Sequence, residues 1–262
     1  MEQNKALLER IRLFVLDLDG TIYLGDRLLE GSLDFIRALE QRGISYLFLT
    51  NNSSRSVQHY VEKLGRLGLH VGEDKILTSG QAAAQYLKRE YPGKRVFLLG
   101  NPSLREEMEK HGIALEDEHP DLVLVGFDTT LDYAKMTRVC DLVREGLPYI
   151  ATHPDFNCPT ETGFIPDSGA ICALITASTG VQPRYFGKPH KETAEMITRR
   201  FGVPSARTAV VGDRLYTDIA LGRNNGLTSI LVLTGETKRE DVNDANAPDF
   251  IFENIGEIAA FF

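Results

Sequence analysis

The sequence predicts an α/β protein: a Rossmann-like core built on a parallel sheet, with a smaller α/β cap inserted into it. Three observations predict this. Short apolar runs at residues 13–16, 46–49 and 209–211 have the all-apolar pattern of strands buried on both faces. Segments of helical period follow them, over residues 33–41, 57–67 and 216–224, with a further one at 191–201. The middle of the chain then repeats the alternation, with strands expected at 96–99, 122–125 and 149–151 and helices between them.

Each element has its punctuation. Gly43, Gly68, Gly202 and Gly226 stand where the helical patterns end, the usual place for a glycine stop. Residues 153–169, rich in Pro, Gly, Asn and Thr, read as a loop. A helical segment then runs to Gly180, and the first pattern resumes at Arg184. The expected division is therefore a core of residues 1–80 and 182–262 with a cap of residues 81–181 between them. No internal repeat, heptad or low-complexity tract is present in the sequence, which removes solenoid and scaffold readings.

Composition narrows the partners. With 262 residues, 42% of them hydrophobic and 25% charged, the chain can bury a sizeable core. Its 37 acidic against 29 basic residues give a net charge of -8, which argues against nucleic acid and anionic membrane and favours a small-molecule partner. The three cysteines, Cys140, Cys158 and Cys172, fit neither a disulfide framework nor a zinc site, and read as reduced thiols of a cytoplasmic protein. No apolar run approaches the roughly 20 residues needed to span a membrane.

The sharpest chemical feature is Asp17-Leu18-Asp19-Gly20-Thr21, directly after the first apolar strand. Ligands bind at the carboxyl ends of parallel strands, and two carboxylates two residues apart can divide the work of attack and proton handling. Gly20 and Thr21 let the backbone turn sharply there. Three other polar sites occupy matching positions: Thr50-Asn51-Asn52, Gly187-Lys188-Pro189 and Gly212-Asp213. With Asp218, the acidic groups Asp17, Asp19, Asp213 and Asp218 sum to -4 against one positive charge from Lys188. At an effective dielectric near 20, each like-charge contact at about 4 Å costs roughly 4 kcal/mol, so a hard divalent cation on these oxygens is the natural remedy. Magnesium fits oxygen ligands best.

Taken in order, DLDGT, TNN, GKP and GDRLYTD resemble the four motifs of the haloacid dehalogenase superfamily, over the whole chain. The cap position, with ATHPD, FGKPH and VGDRLYTDI, resembles its NagD-type branch of nucleotide and sugar phosphatases, pyridoxal phosphatase and nitrophenylphosphatases. The resemblance implies a phosphate monoester hydrolase in which Asp17 takes the phosphoryl group while Asp19 protonates the leaving alkoxide and later activates water. It implies that Thr50, Asn51 and Lys188 hold phosphate oxygens. Magnesium would sit on Asp17, the Asp19 main-chain carbonyl and Asp213. Gly20, Thr21, Asn52, Gly212 and Asp218 would support the site. Residues 23–28 would form a hairpin-like flap over the nucleophile, and cap surfaces would offer a homodimer contact. One departure concerns the return from cap to core, where the family often has P-G-x-G and this chain has Pro166-Asp167-Ser168-Gly169. His153, Asp155 and Asp167 are therefore the candidates for reading the substrate.

Two competing functions remain on the sequence. A magnesium-dependent phosphate-ligand binding or regulatory protein of the same fold would not need Asp19 as an acid. A nicotinamide-dependent oxidoreductase would need a G-x-G-x-x-G run, and Gly20 is not part of one. Each motif also has a plain reading. A lone D-x-D is commonly a turn or helix cap, and a lone lysine a surface residue. The ordered set at four strand ends is what distinguishes them.

Overall fold

The computed structural model describes residues 2–160 and 163–261. From the N-terminus, α1 (Glu2–Glu9) precedes β1 (Leu13–Leu16), and β2 (Tyr23–Leu24) pairs with β3 (Arg27–Leu28). Next come α2 (Ser32–Gln41), β4 (Ser45–Thr50), α3 (Val57–Arg66) and β5 (Ile76–Thr78). The middle holds α4 (Ser79–Glu90), β6 (Arg95–Leu99), α5 (Pro102–Lys110), β7 (Ala114–Leu115), β8 (Leu122–Val125), α6 (Tyr133–Arg144) and β9 (Tyr149–Ala151). It continues with β10 (Asn157–Thr160), β11 (Gly163–Pro166), α7 (Ser168–Thr179) and β12 (Arg184–Tyr185). The chain ends with α8 (Lys191–Phe201), β13 (Thr208–Gly212), α9 (Ala220–Asn225), β14 (Thr228–Val232) and β15 (Phe250–Phe252).

These elements form two compact units. The first comprises the chain up to Thr50, Tyr60–Leu77, and everything from Lys188 onward; the second comprises Asn51–His59 and Thr78–Gly187. The sheet of the first unit runs β15-β14-β13-β1-β4-β5, with β1 parallel to both β4 and β13. Strand order therefore reverses at β1, which puts the switch-point crevice of a doubly wound sheet at its carboxyl end. All four residues of β1 are buried, as strands covered on both faces must be. Leu13 and Val15 share an apolar cluster with Ile197 of α8 and Leu221 of α9, while Phe14 makes an edge contact with Phe35 of α2 at 5.4 Å. Alternate residues thus anchor opposite layers. Each such fully buried side chain contributes about 1.5–3 kcal/mol.

The second unit repeats the plan on a smaller, wholly parallel sheet, β12-β9-β8-β6-β7. Phe97, Leu99, Val123 and Val125 pack on one face with Val139 and Leu142 of α6 and Ile175 of α7. Val96, Leu98, Leu122 and Leu124 pack on the other with Leu87 of α4 and Leu104 of α5. Asn51–His59 is tied to this unit by polar contacts. Ser53 Oγ lies 3.0 Å from Thr152 Oγ1 and accepts from the Phe127 N–H at 2.9 Å, and Asn101 Nδ2 donates to the Ser54 carbonyl at 2.9 Å.

Two local differences from the sequence reading stand out. The stretch expected to be an irregular loop holds the antiparallel pair β10–β11, in register from Asn157↔Pro166 to Thr160↔Gly163. No described residue of either strand is buried, so neither carries the alternation that marks a half-buried strand. The helix expected from residue 216 begins as a π turn, Leu215–Ile219, before α9 proper. Single π turns recur at functional sites, and this one contains Asp218.

Candidate active site

The first unit gathers its polar residues at the switch point. Asp17 follows the last residue of β1, Thr50 ends β4, and Asp213 follows Gly212 at the end of β13. Lys188 is buried between two carboxylates: its Nζ donates to Asp17 Oδ1 and, at 2.6 Å, to Asp218 Oδ1, with the Leu49 carbonyl at 3.3 Å as a third acceptor. Asp218 Oδ2 in turn accepts from the Arg214 N–H at 3.2 Å. Gly212 is required here because a Cβ on it would fall 2.1 Å from Asp218 Cγ. Asp17, Asp213 and Asp218 each bring a carboxylate oxygen within 4.8 Å of the others.

Such crowding shows in the ionisation of the groups. Burial pushes Asp17 well above the usual carboxylate range; Lys188 opposes the rise, and Asp218 and Asp213 add to it. Asp213 is pushed up to about 7, first by burial and then by Asp218. Burial disfavours the Lys188 ammonium, but Asp17 and Asp218 outweigh it and hold the group above its ordinary value.

A divalent cation suits this donor set. Asp213 Oδ2 accepts from the Glu236 N–H at 2.7 Å, whereas its buried Oδ1 has no hydrogen-bond partner among the described residues. A buried carboxylate oxygen left so is costly, and a hard cation held by oxygens would relieve it. Two glycines pack against the other oxygen: a Cβ at Gly20 would come within 2.5 Å of Asp213 Oδ2, and one at Gly235 within 2.0 Å.

Asp19 is built separately from this cluster. Tyr23, at the start of the β2–β3 hairpin, donates its hydroxyl to Asp19 Oδ2 at 3.1 Å, and Lys63 Nζ of α3 stands 3.8 Å from the Tyr23 ring centroid. Burial raises Asp19 above the usual carboxylate value, with Lys63 and Tyr23 opposing. Gly20 carries the chain around the turn at φ 86°, Thr21 beside it is fully buried, and Thr234 Oγ1 closes the loop by donating to the Gly20 carbonyl at 2.6 Å.

The remaining expected residues meet in the second unit. Asn51 Nδ2 donates to Asp155 Oδ1 at 3.0 Å, and the Nε2 of His153 pairs with Asp167 Oδ1 at 2.8 Å. Asn52 turns its amide oxygen to the Ser54 N–H at 2.9 Å and hydroxyl at 2.7 Å, so it braces its own turn. His153, Asp155 and Asp167 are all buried. Asp167 also caps α7 by accepting from the Ser168 N–H. Sequence reasoning missed Ser79, Gly235, the Glu236 N–H, and the bond from Tyr23 to Asp19. Ser79, Gly235 and Glu236 lie too far along the chain from their partners for any local signal, and a flap tyrosine carries no mark of its bond.

A polar cluster at the switch point of a doubly wound sheet stands where enzymes of the α/β class bind their ligands. Residues 14–114 match the family described as haloacid dehalogenase-like hydrolase, and residues 185–258 match one described as HAD-hydrolase-like. The 5'-nucleotidase YutF of Bacillus subtilis (strain 168) is 37% identical over 231 residues, covering 88% of this chain and 90% of that one. The acid sugar phosphatase of Staphylococcus aureus (strain MRSA252) is 35% identical over 262 residues, covering 99% and 98%. Among solved structures, the 4-nitrophenylphosphatase of Thermotoga maritima superposes with a TM-score of 0.94 at 48% identity, covering 97% of this chain and 98% of that one. The chain belongs to the haloacid dehalogenase-like hydrolases, as its motif order implies.

Proposed function

We propose that the protein hydrolyses small phosphate monoesters, of sugar phosphate, nucleotide or nitrophenyl type, through a phosphoaspartate on Asp17. The observation that carries this reading is the placement of Asp17 at the end of the central strand, in contact with buried Lys188 and within reach of Asp213 and Asp218. Relatives named 5'-nucleotidase, acid sugar phosphatase and 4-nitrophenylphosphatase support the class.

An Asp17 carboxylate oxygen forms a bond to phosphorus as the ester P–O bond breaks, and Asp19 gives its proton to the departing alkoxide. Water then attacks the phosphorus of the acyl phosphate, Asp19 takes its proton, and inorganic phosphate leaves with Asp17 restored. Tyr23 holds one oxygen of Asp19, which leaves the other to carry the proton. Lys188, Thr50 and Asn51 hold phosphoryl oxygens, Asn51 being joined directly to Thr50 at the end of β4. Asp17, Asp213 and the Asp19 carbonyl would hold magnesium, which when bound supplies positive charge against the phosphoryl oxygens. Asp218 keeps Lys188 aimed from behind. The β2–β3 hairpin serves as the flap.

Cys140, Cys158 and Cys172 are thiols, two of them buried, which supports a cytoplasmic setting. No helix among the described residues is long and apolar enough to cross a membrane. The test is phosphate release from p-nitrophenyl phosphate, sugar phosphates and nucleotides, with magnesium, with EDTA, and in Asp17→Asn. Metal-dependent release that disappears in the variant is expected. Release that survives in Asp17→Asn would overturn the mechanism, and no release from any ester by the wild type would leave the binding-protein reading in its place.

A further inference from the structure

Asn51 is held in its side chain and in its backbone by side chains the reaction steps do not use. Its Nδ2 donates to Asp155 Oδ1, and its main-chain carbonyl accepts from Ser79 Oγ. Behind Ser79 stands His153, fully buried, with Nδ1 at 3.3 Å from Ser79 Oγ and 2.9 Å from Thr152 Oγ1, and Nε2 at 2.8 Å from Asp167 Oδ1. Gly187 closes the remaining side, since a Cβ there would fall 2.6 Å from Asn51 Oδ1. Asp155 Oδ1 and Asp167 Oδ1 are therefore both committed to protein donors, and the Ser79 hydrogen is spent on the Asn51 carbonyl.

The chemistry of these partners sets an orientation. An asparagine amide can rotate by half a turn and exchange its oxygen for its nitrogen at nearly the same shape. The amide turns its nitrogen to Asp155 Oδ1, and against a carboxylate the rotated amide would set oxygen against oxygen. The orientation it enforces sets the NH₂ group, and not the carbonyl oxygen, on this side of the residue. A phosphoryl oxygen likewise needs a donor.

The geometry points to Asp155, which sets the Asn51 amide, and Ser79, which holds the Asn51 backbone and is backed by His153 and Asp167, as a positioning cluster that keeps the amide in its phosphate-donating orientation, instead of reading the alcohol half of the substrate. This rests on the assignment of Asn51 to the phosphate. His153, Asp155 and Asp167 also come within 4.8 Å of one another, a spacing that would accept a metal ion. Asp155 Oδ1, His153 Nε2 and Asp167 Oδ1 are each already employed in a hydrogen bond, which favours a brace. A positioning role makes a distinct prediction: its loss should affect every phosphate ester equally, because all share the group that Asn51 holds.

The experiment compares wild type, Asp155→Ala, Asn51→Ala and the double variant on p-nitrophenyl phosphate, a sugar phosphate and a nucleoside monophosphate, with inorganic phosphate as competitive inhibitor. Asp155→Ala is expected to lower kcat/KM by on the order of 10- to 100-fold, by the same factor on all three esters, and to weaken inhibition by phosphate. The double variant should be no worse than Asn51→Ala alone, because the two residues act through one contact. His153→Gln should retain more activity than His153→Ala. A loss that differs between esters, or losses that multiply in the double variant, would overturn the inference. So would an Asn51→Ala variant as active as wild type. If Asp155→Ala fails to fold by its thermal transition, the isosteric Asp155→Asn replaces it, since its amide can accommodate either orientation of Asn51. Absence of turnover in the wild type would instead sink the phosphatase reading; phosphate binding followed by calorimetry would then decide whether Asp155→Ala weakens it.

Discussion

Replacing Lys188 by methionine removes the only cation that contacts Asp17 and Asp218 among the described residues while keeping the bulk of the stem. Three carboxylates with oxygens within 4.8 Å of one another then remain in a buried pocket. At an effective dielectric near 20, each such pair repels by about 3.5 kcal/mol when both are ionised, so three pairs would cost about 10 kcal/mol. The protein avoids most of this by protonation, and the raised Asp17 and Asp213 show that the tendency already exists with the lysine present. What remains is the cost of breaking a buried ion pair from one side, about 3–5 kcal/mol. Urea unfolding of Lys188→Met in EDTA at neutral pH should show a loss of that order. Magnesium should recover part of it, giving the variant a larger metal-dependent gain than wild type. Phosphate release should fall by roughly 100-fold or more even with metal, since a charged donor to the phosphoryl group is gone. A variant within about 1 kcal/mol of wild type in EDTA would refute the reasoning, because a loss so small is that of an exposed pair.

Other consequences follow from neighbouring contacts. Gly235→Ala places a Cβ about 2.0 Å from Asp213 Oδ2, so it should cost roughly 1–3 kcal/mol and shrink the magnesium-induced rise in melting temperature. Asp213 ionises only near pH 7 in the fold, above its unfolded value of about 4, so its charging opposes folding. In EDTA this contribution is absent below the unfolded value and grows until pH passes about 7; with magnesium the trend should reverse over the same window, as melting curves across it would show. Tyr23→Phe removes the donor to Asp19 Oδ2 and should lower kcat on the order of 10-fold, more for alkyl phosphates than for p-nitrophenyl phosphate, whose leaving group needs less protonation. Equal losses on both ester types would refute a role through Asp19.

The fold class is legible in the residues alone, and so are the strand ends that carry the polar motifs. An all-apolar run such as Leu13–Leu16 has one stable use, a strand covered on both faces, and the motifs that follow such runs fall at strand ends without further information. Helix α8 was legible to its end at Gly202 because amphipathic period and glycine stop agree. The β10–β11 hairpin was not, because exposed strands lack the alternation that burial imposes. Tertiary structure alone decided what each polar residue touches. Lys188 lies 171 positions from Asp17 in the chain, and Asn51 lies 104 from Asp155, so no local pattern can record either contact. The same holds for Gly235 under Asp213 and Ser79 under Asn51. Local sequence sets secondary structure through periodicity and turn chemistry, which act within a few residues. A buried hydrogen bond or ion pair depends on strand order and register, which only the packed sheet supplies.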